Sequence, residues 1–446
     1  MSYNAADSVL NDLLQEWVIE KKIYPQGIKD DPATMMFYNK WLKHQGIGEN
    51  DYIKIKAGNT FQTEAADEGA SWSTITGTPD IIKSDAITNK KLQMRQKVSG
   101  TLWRALRAKV MAGTTLKGGE LTDLISDSVD AFTNSIRRIS VGDGTGRMFY
   151  CHTDSNSSTT VYVTDADGTV LPASHWVWDH LYGRVSSKTG SGMHVDFVVT
   201  TTGLADAAAA KDNEIVTVTP SSGTLTMADA VDLYTNSTNG TNYDYYFGRM
   251  YTAFSDTGTS GTTALYVEPL GLEGLVTTTS ALHGITNARS LSKAINASTT
   301  VLDCMMLDNL IYGLKGKAKN YMVVADPECL SRFQYEAQSM LRLAPADANA
   351  PLGFKGTVYR HPAIGQAAFI PLVELFGTKR CYVVNVDSLH TKGTQLTPEP
   401  VRGKLEWNQT TDYLFDDLVS EFENINTERN SSGYIYGLKG ADTAWT

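Results

Sequence analysis

Residues able to do chemistry are unevenly spread along this chain. Four of its eight histidines, His152, His175, His180 and His194, fall between residues 147 and 267, and Cys151 stands beside His152. Imidazole and thiolate are zinc ligands when a rigid frame brings them together. Neighbours on a strand point to opposite faces, which separates Cys151 from His152, so these histidines read as surface or core side chains. Asp165-Ala166-Asp167-Gly168 begins like a calcium loop but lacks the later ligands and the closing glutamate. The same residues predict the turn of a hairpin over Val161 to Leu171. Gly142-Asp143-Gly144-Thr145-Gly146 offers backbone that could cradle a phosphate. A dinucleotide fingerprint leaves a strand and enters a helix, whereas this string leaves a predicted helix and enters Met148, Phe149 and Tyr150, so it reads as a structural turn. The chain contains no nucleophile elbow, no His-Glu-x-x-His and no Walker loop. No catalytic, cofactor-binding or metal-ligating residue is predicted, and the chain is read as a non-enzyme.

The elements that would position any site follow from composition. A length of 446 residues predicts two or three packed units. A net charge of -10 argues against a protein whose main work is gripping a nucleic-acid backbone. The 37 glycines and 21 tyrosines, with abundant Thr and Ser, favour strands joined by tight turns. Cys151, Cys304, Cys329 and Cys381 are scattered without a Cys-x-x-Cys pair, which points to reduced thiols and an intracellular origin. The N-terminus MSYNAADSV lacks the pattern of an export signal, and no apolar run is long enough to span a bilayer.

Along the chain, Val9, Leu10, Leu13, Leu14, Trp17 and Val18 recur at helical spacing over Asp7 to Lys21, a greasy stripe that needs a partner. Residues 50–95 predict a long exposed hairpin whose tip, with Glu64, Asp67, Glu68, Gly69 and Ser71, has too little apolar surface to fold on a core of its own. Gly118 to Arg138 predicts a helix with Leu121, Leu124, Ile125, Val129, Phe132, Ile136 and Ile139 on one face. Residues 147–267 predict an all-β insert, with strands at Thr160 to Val163, Met193 to Thr200, Glu214 to Thr219 and Thr263 to Val267. That insert has twelve acidic residues against five basic ones, so it carries seven of the ten net negative charges. From Leu270 to about His390 helix and strand alternate. Thr300 is placed as the cap of a helix carrying Leu302, Met305, Met306 and Leu310, and Tyr321 to Val324 as a buried strand. Asp326-Pro327 is placed as a helix start, and Gly356 to Tyr359 and Cys381 to Val384 as strands. Leu418 to Asn426 and Tyr434 to Leu438 predict a closing hairpin about Asn430 to Gly433.

In order, then, the chain shows an N-terminal arm, an acidic-tipped flap with Asp67-Glu68-Gly69, a helix through Ala131-Phe132 to Arg138 and the glycine turn Gly142 to Gly146. Leu270-Gly271-Leu272-Glu273-Gly274-Leu275, Tyr321 to Pro327 and Glu423-Asn424-Ile425-Asn426-Thr427-Glu428-Arg429 follow. This order resembles the major capsid proteins of tailed bacteriophages, the HK97-like fold. The resemblance spans nearly the whole chain outside 147–267 and lies in the order of the pieces.

The resemblance implies an α+β, HK97-like capsid fold. Its parts would be an N-terminal arm (1–49), an extended E-loop (50–95), a P domain with the spine helix (96–146), an all-β insertion domain (147–267), an A domain (268–390) and C-terminal P-domain strands (391–446). The implied function is self-assembly into pentamers and hexamers of an icosahedral head that encloses double-stranded DNA without specific binding. Portal, separate scaffold and decoration proteins are the further partners, the cofactor count is none, and the location is the virion, assembled in the host cytoplasm. Glu64, Asp67, Glu68 and Trp72 of the flap and Leu13, Leu14 and Trp17 of the arm are the expected intersubunit contacts. Glu64 to Asp80 contains no lysine, which speaks against the covalent cross-linking of some family members. The flap is reached by about residue 50, so no long scaffolding segment is expected ahead of the arm. The alternative is a nanocompartment shell of the same fold packaging a protein cargo.

Overall fold

The computed structural model describes residues 32–38, 41–43, 50–51, 54–56, 81–83, 87–112, 132–144, 268–278, 282–284, 291–314, 320–337, 344–345, 357–400, 406–408 and 413–440. Within the central segment it describes the strands 150–151, 160–164, 184–188, 194–204, 214–220 and 247–250. These residues form an α+β molecule with sheets of five, six and seven strands and two separate two-stranded ladders.

The seven-stranded sheet is built on the apolar runs Tyr321–Ala325 and Cys381–Asn385, each buried throughout. Its order is Lys293–Asn296, Gly433–Tyr436, Cys381–Asn385, Tyr321–Ala325, Gly365–Pro371, Thr357–His361, Ala344–Pro345. Such strands show no polar alternation because both faces are covered. On one face Val323, Phe369, Val383 and Ile435 pack with Leu307, Leu310 and Ile311 of the Cys304–Gly313 helix and with Leu330 and Phe333 of the Pro327–Ala337 helix. On the other, Met322, Val324, Ile370 and Val384 meet Leu272 and Leu275, together with Met36 and Phe37 of the Pro32–Tyr38 helix.

Asp326 starts the Pro327–Ala337 helix as the sequence predicts. Its Oδ1 accepts from the Glu328 N–H at 3.0 Å and its Oδ2 from the Lys379 N–H at 2.9 Å. The preceding helix differs from expectation. Thr300 donates its hydroxyl to the Ala297 carbonyl at 2.6 Å, within a turn where Ser298 and Thr299 have φ of 49° and 63°. The cap is Asp303, whose carboxylate accepts from the Met306 N–H at 2.6 Å. Leu302 therefore precedes the helix, and Met305 faces outward.

The five-stranded sheet centres on Tyr413–Asn426, flanked by Lys90–Ser99 and Leu389–Pro400, with Glu406–Asn408 pairing its start. Trp41–Lys43 runs parallel to Leu389–Pro400 at one edge. The predicted closing hairpin is corrected here. Residues 418–422 pair with Lys90–Met94 on one side and with Gly393–Pro400 on the other, while Gly433–Tyr436 pairs in the seven-stranded sheet. The chain instead crosses to the other sheet through a buried polar turn. Thr427 N–H donates to the Ser388 carbonyl at 2.9 Å, and Asn385 donates its amide to Ser431 Oγ at 2.9 Å. Gly433–Tyr436 then lies between Lys293–Asn296 and Cys381–Asn385, so residues 391–446 are shared between two sheets.

The described part of the predicted 118–138 helix runs over residues 132–141, three residues past Arg138, with Phe132, Ile136 and Ile139 buried. A helix that the sequence reading did not place, Gly100–Met111, buries Trp103, Leu106 and Val110. In the central segment six antiparallel strands form one sheet, in the order Phe247–Met250, Arg184–Lys188, His194–Leu204, Glu214–Pro220, Thr160–Thr164, Tyr150–Cys151. Three of these match predicted strands. The run Thr263 to Val267 and the turn Asp165 to Gly168 lie outside the described residues, and Thr160–Thr164 pairs with Glu214–Pro220 and Tyr150–Cys151.

Candidate assembly surface

Two features of the described residues bear on how this chain could act: a ribbon leaving the five-stranded sheet, and a polar junction holding the chain segments together beneath it. In the ribbon, Asn50–Asp51 pairs antiparallel with Ile87–Thr88, and Lys54–Lys56 with Ile81–Lys83. It continues directly into Lys90–Ser99 of the five-stranded sheet, and its four short strands pair with no other described strand. Two strands alone bury too little to be stable in water. The predicted contact residues Glu64, Asp67, Glu68 and Trp72, and Leu13, Leu14 and Trp17, lie outside the described residues.

The junction forms where the 132–141 helix ends. Gly142 N–H closes the helix on the Arg138 carbonyl at 3.0 Å, and Gly144 turns the chain with φ of 85°. Gly271 and Gly274 both aim their N–H groups at the Gly142 carbonyl, at 3.0 and 3.4 Å. A Cβ on Gly271 would lie 2.1 Å from the Ile139 oxygen, so the two backbones touch directly. Gly142 to Gly144 thus form a structural turn, as the reversed order predicts, and one that also packs against Gly271 and Gly274. Arg138 grips Glu268 with two hydrogen bonds of 2.8 and 2.6 Å, both side chains being nearly buried.

Glu423, 3% exposed, joins this junction to the five-stranded sheet. Its Oε1 accepts from the Leu270 N–H at 2.6 Å and from the Asn424 N–H at 3.1 Å. Burial outweighs these bonds and pushes its carboxyl up to about 8. Asp326 is likewise driven by burial up to about 7. Both hold backbone in place.

Other polar groups also read as structural. Tyr359 donates its hydroxyl to Asp308, and the buried His361 lies with Nε2 3.4 Å from the same carboxylate while its Nδ1 accepts from the Ala363 N–H at 3.0 Å. Burial pushes the Cys381 thiol up to about 12 and raises Cys329 as well, which makes both poor nucleophiles. Among the described residues no group of three His, Cys, Asp or Glu could hold a metal ion. Among them, too, no helix is long and apolar enough to cross a membrane. Cys151 and His194 lie on described strands, whereas His152, His175 and His180 lie outside the described residues.

Outward-facing apolar residues complete the surface. On the Cys304–Gly313 helix Met305 is 71% and Tyr312 66% exposed, one to each side of the half-exposed Asp308. Leu102 and Met111 do the same on the Gly100–Met111 helix. Sequence reasoning counts Met305 among the apolar residues of its helix and does not single out Tyr312, Leu102 or Met111. The signal for the second helix was there in the spacing of Trp103, Leu106 and Val110, but its solvent side carries Leu102 and Met111 and blurs the polar face.

No family model matches the chain, and no curated protein matches it. Solved structures similar to it include two capsids and an encapsulin complex. The cyanophage A-1(L) capsid is 9% identical with a TM-score of 0.44, over 91% of this chain and 92% of that one. The capsid of a native GTA particle is 7% identical with a TM-score of 0.41, over 92% and 91%. The holo-SrpI encapsulin complex from Synechococcus elongatus PCC 7942 is 11% identical with a TM-score of 0.27, over 38% of this chain and 61% of that one.

Proposed function

We propose that this chain is a major capsid protein of a tailed bacteriophage, which self-assembles through pentamers and hexamers into an icosahedral head around double-stranded DNA. The observation that carries the reading is the ribbon in which Asn50–Asp51 pairs with Ile87–Thr88 and Lys54–Lys56 with Ile81–Lys83, strands that pair with no other described strand. A ribbon of that kind gains its stability by lying on another chain. In this reading the five-stranded sheet and the 132–141 helix form the P domain, the seven-stranded sheet the A domain, and the six-stranded sheet an insertion domain. Glu64, Asp67, Glu68 and Trp72 of the ribbon tip, and Leu13, Leu14 and Trp17 of the arm, contact neighbouring subunits. Portal, scaffold and decoration proteins are its further partners, and the virion, assembled in the host cytoplasm, is its location. The protein acts by geometry and not by catalysis.

Electron microscopy of the purified full chain tests this. Closed hollow particles are expected. A discrete monomer or dimer at high concentration would overturn the proposal, and particles filled with protein cargo in place of DNA would turn it into a nanocompartment shell.

A further inference from the structure

We infer that residues 437–440 form a strained latch, which ties the Cys304–Gly313 and Pro327–Ala337 helices to the seven-stranded sheet and opens ahead of the sheet itself. The segment follows directly on Gly433–Tyr436, and each of its four residues bonds to another part of the chain. The Gly437 carbonyl accepts from the Thr299 N–H at 2.8 Å and the Lys439 N–H donates to the Thr300 carbonyl at 2.9 Å, which fastens the turn ahead of the Cys304–Gly313 helix. The Leu438 N–H donates to the Lys379 carbonyl at 3.1 Å, in the loop before Cys381–Asn385. The Gly440 carbonyl accepts from Arg332 Nη1 of the Pro327–Ala337 helix at 2.9 Å, so close to that helix that a Cβ on Gly440 would stand 2.7 Å from the Glu328 carboxylate. Among these bonds Leu438, 1% exposed, enters the core shared by Leu302, Leu307 and Leu330.

The backbone that receives the segment is what makes it a latch. Among the described residues four that are not glycine have positive φ, and three of them, Ser298 at 49°, Thr299 at 63° and Lys379 at 51°, lie in the two loops that hold 437–440. A left-handed conformation crowds the Cβ of an L-residue against the following carbonyl, and a β-branched residue such as Thr299 adopts it least readily. Local bonds hold these residues in place: Asn296 Oδ1 accepts from the Ser298 N–H at 2.9 Å, Thr299 Oγ1 donates to the Ser298 carbonyl at 2.6 Å, and the Lys379 N–H donates to the buried Asp326 at 2.9 Å. Tyr321–Ala325 and Cys381–Asn385 contain no such residue. Strain therefore offsets part of what the latch bonds contribute, while the sheet keeps the whole of its own. Opening at 437–440 frees the approaches to both helices together.

Hydrogen–deuterium exchange on the full chain tests this without requiring particles, so its failure and that of the shell reading are separable. The Thr299, Leu438 and Lys439 amides should exchange together, about a hundredfold or more faster than those of Val323 and Val383. One common rate for both sets would contradict a separate opening. The strain is tested by Thr299→Gly and Lys379→Gly, which suit a positive φ. Glycine loosens a chain elsewhere, yet here each should slow exchange at Leu438 and Lys439, by about threefold. Thr299→Asn keeps a Cβ but tolerates the same conformation, and should slow exchange by about twofold. Unchanged or faster exchange in these variants would overturn the inference.

Discussion

In the seven-stranded sheet the central strands are five residues long and buried along their whole length, as in Tyr321–Ala325 and Cys381–Asn385. In the five-stranded sheet Tyr413–Asn426 runs for 14 residues and carries Asp416, Asp417, Glu421 and Glu423. Its register sets Glu421 opposite Lys91. The first sheet is held by apolar burial on two faces, at about 25 cal/mol per Å². The second has longer backbone ladders, and an exposed cross-strand pair such as Glu421 with Lys91 is worth roughly 0.2–1 kcal/mol. A region of the first kind is complete in one chain. A region of the second kind gains when something covers it, which is the situation the proposed shell would supply.

The largest expected effect separates the two sheets directly. Val323 is fully buried between the seven-stranded sheet and its helices. Val323→Asp should cost about 4 kcal/mol or more, because an unpaired carboxylate has no partner there. Leu92, half-buried on Lys90–Ser99, offers the matching site in the other sheet. Leu92→Asp should cost about 1–2 kcal/mol. Equal losses in urea unfolding would erase the contrast.

Next in size are the changes at the junction between the sheets. Gly271→Ala places a methyl 2.1 Å from the Ile139 oxygen and should cost about 3 kcal/mol, since backbone on both sides must move. Gly365→Ala is the control: φ is 77° but no atom lies within 4 Å of its Cβ, so about 1 kcal/mol is expected. Arg138→Met leaves Glu268 buried without its bidentate partner and should also cost about 3 kcal/mol. Thermal unfolding read at tryptophans outside 147–267 would check all three.

The parts of this arrangement that the sequence made visible are those with a single local cause. Apolar runs such as Tyr321–Ala325 announce a doubly covered strand, and Asp326-Pro327 announces a helix start. Gly142 to Gly146 is read as a turn, and Gly142 within it is a contact as well. What it touches, Gly271 and Gly274, lies more than a hundred residues away, and nothing local encodes that meeting. The closing hairpin failed for a related reason. Asn426 and Gly433 are near in sequence, but a buried turn held by the Ser388 carbonyl and the Asn385 amide carries the chain to the other sheet, where Gly433–Tyr436 finds distant partners. The cap at Asp303 was missed because Thr300 is as good a candidate by type. Only the Ala297 carbonyl, reached through a positive-φ turn, decides between them.

Protonation gives a smaller and more selective probe of the five-stranded side. Glu423 is held up to about 8 by burial, well above its ordinary value of 4.5, so the folded state keeps a proton that the unfolded chain has released at neutral pH. The stability this contributes is complete at low pH and is lost as pH rises towards 8, at about 1.4 kcal/mol per pH unit through the middle of that window. Glu423→Gln keeps the Oε1 acceptor for Leu270 and Asn424 and cannot ionise. Urea midpoints at pH 5, 6 and 7 should therefore show a flatter profile in the variant by about that slope. An unchanged slope would mean that Glu423 is ionised in the folded chain, with a cation holding it there.

The smallest expected effect tests whether the charged ladder contributes in a single chain at all. Lys91 is exposed and stands opposite Glu421 on the long strand. Lys91→Glu turns an attractive pair into a repulsive one, yet water screens both, and about 0.5 kcal/mol is the expected loss in the isolated subunit. Salt should shrink that loss further, because exposed charges interact through a screened medium. If neighbours cover this sheet in a shell, the same substitution acts in a drier environment and its cost grows. Lys91→Glu should then leave subunit unfolding nearly unchanged while shifting the protein concentration at which particles form. A loss of several kcal/mol in the isolated subunit would show that the ladder charges are already buried in one chain, and the difference between the two sheets would be one of strand length alone.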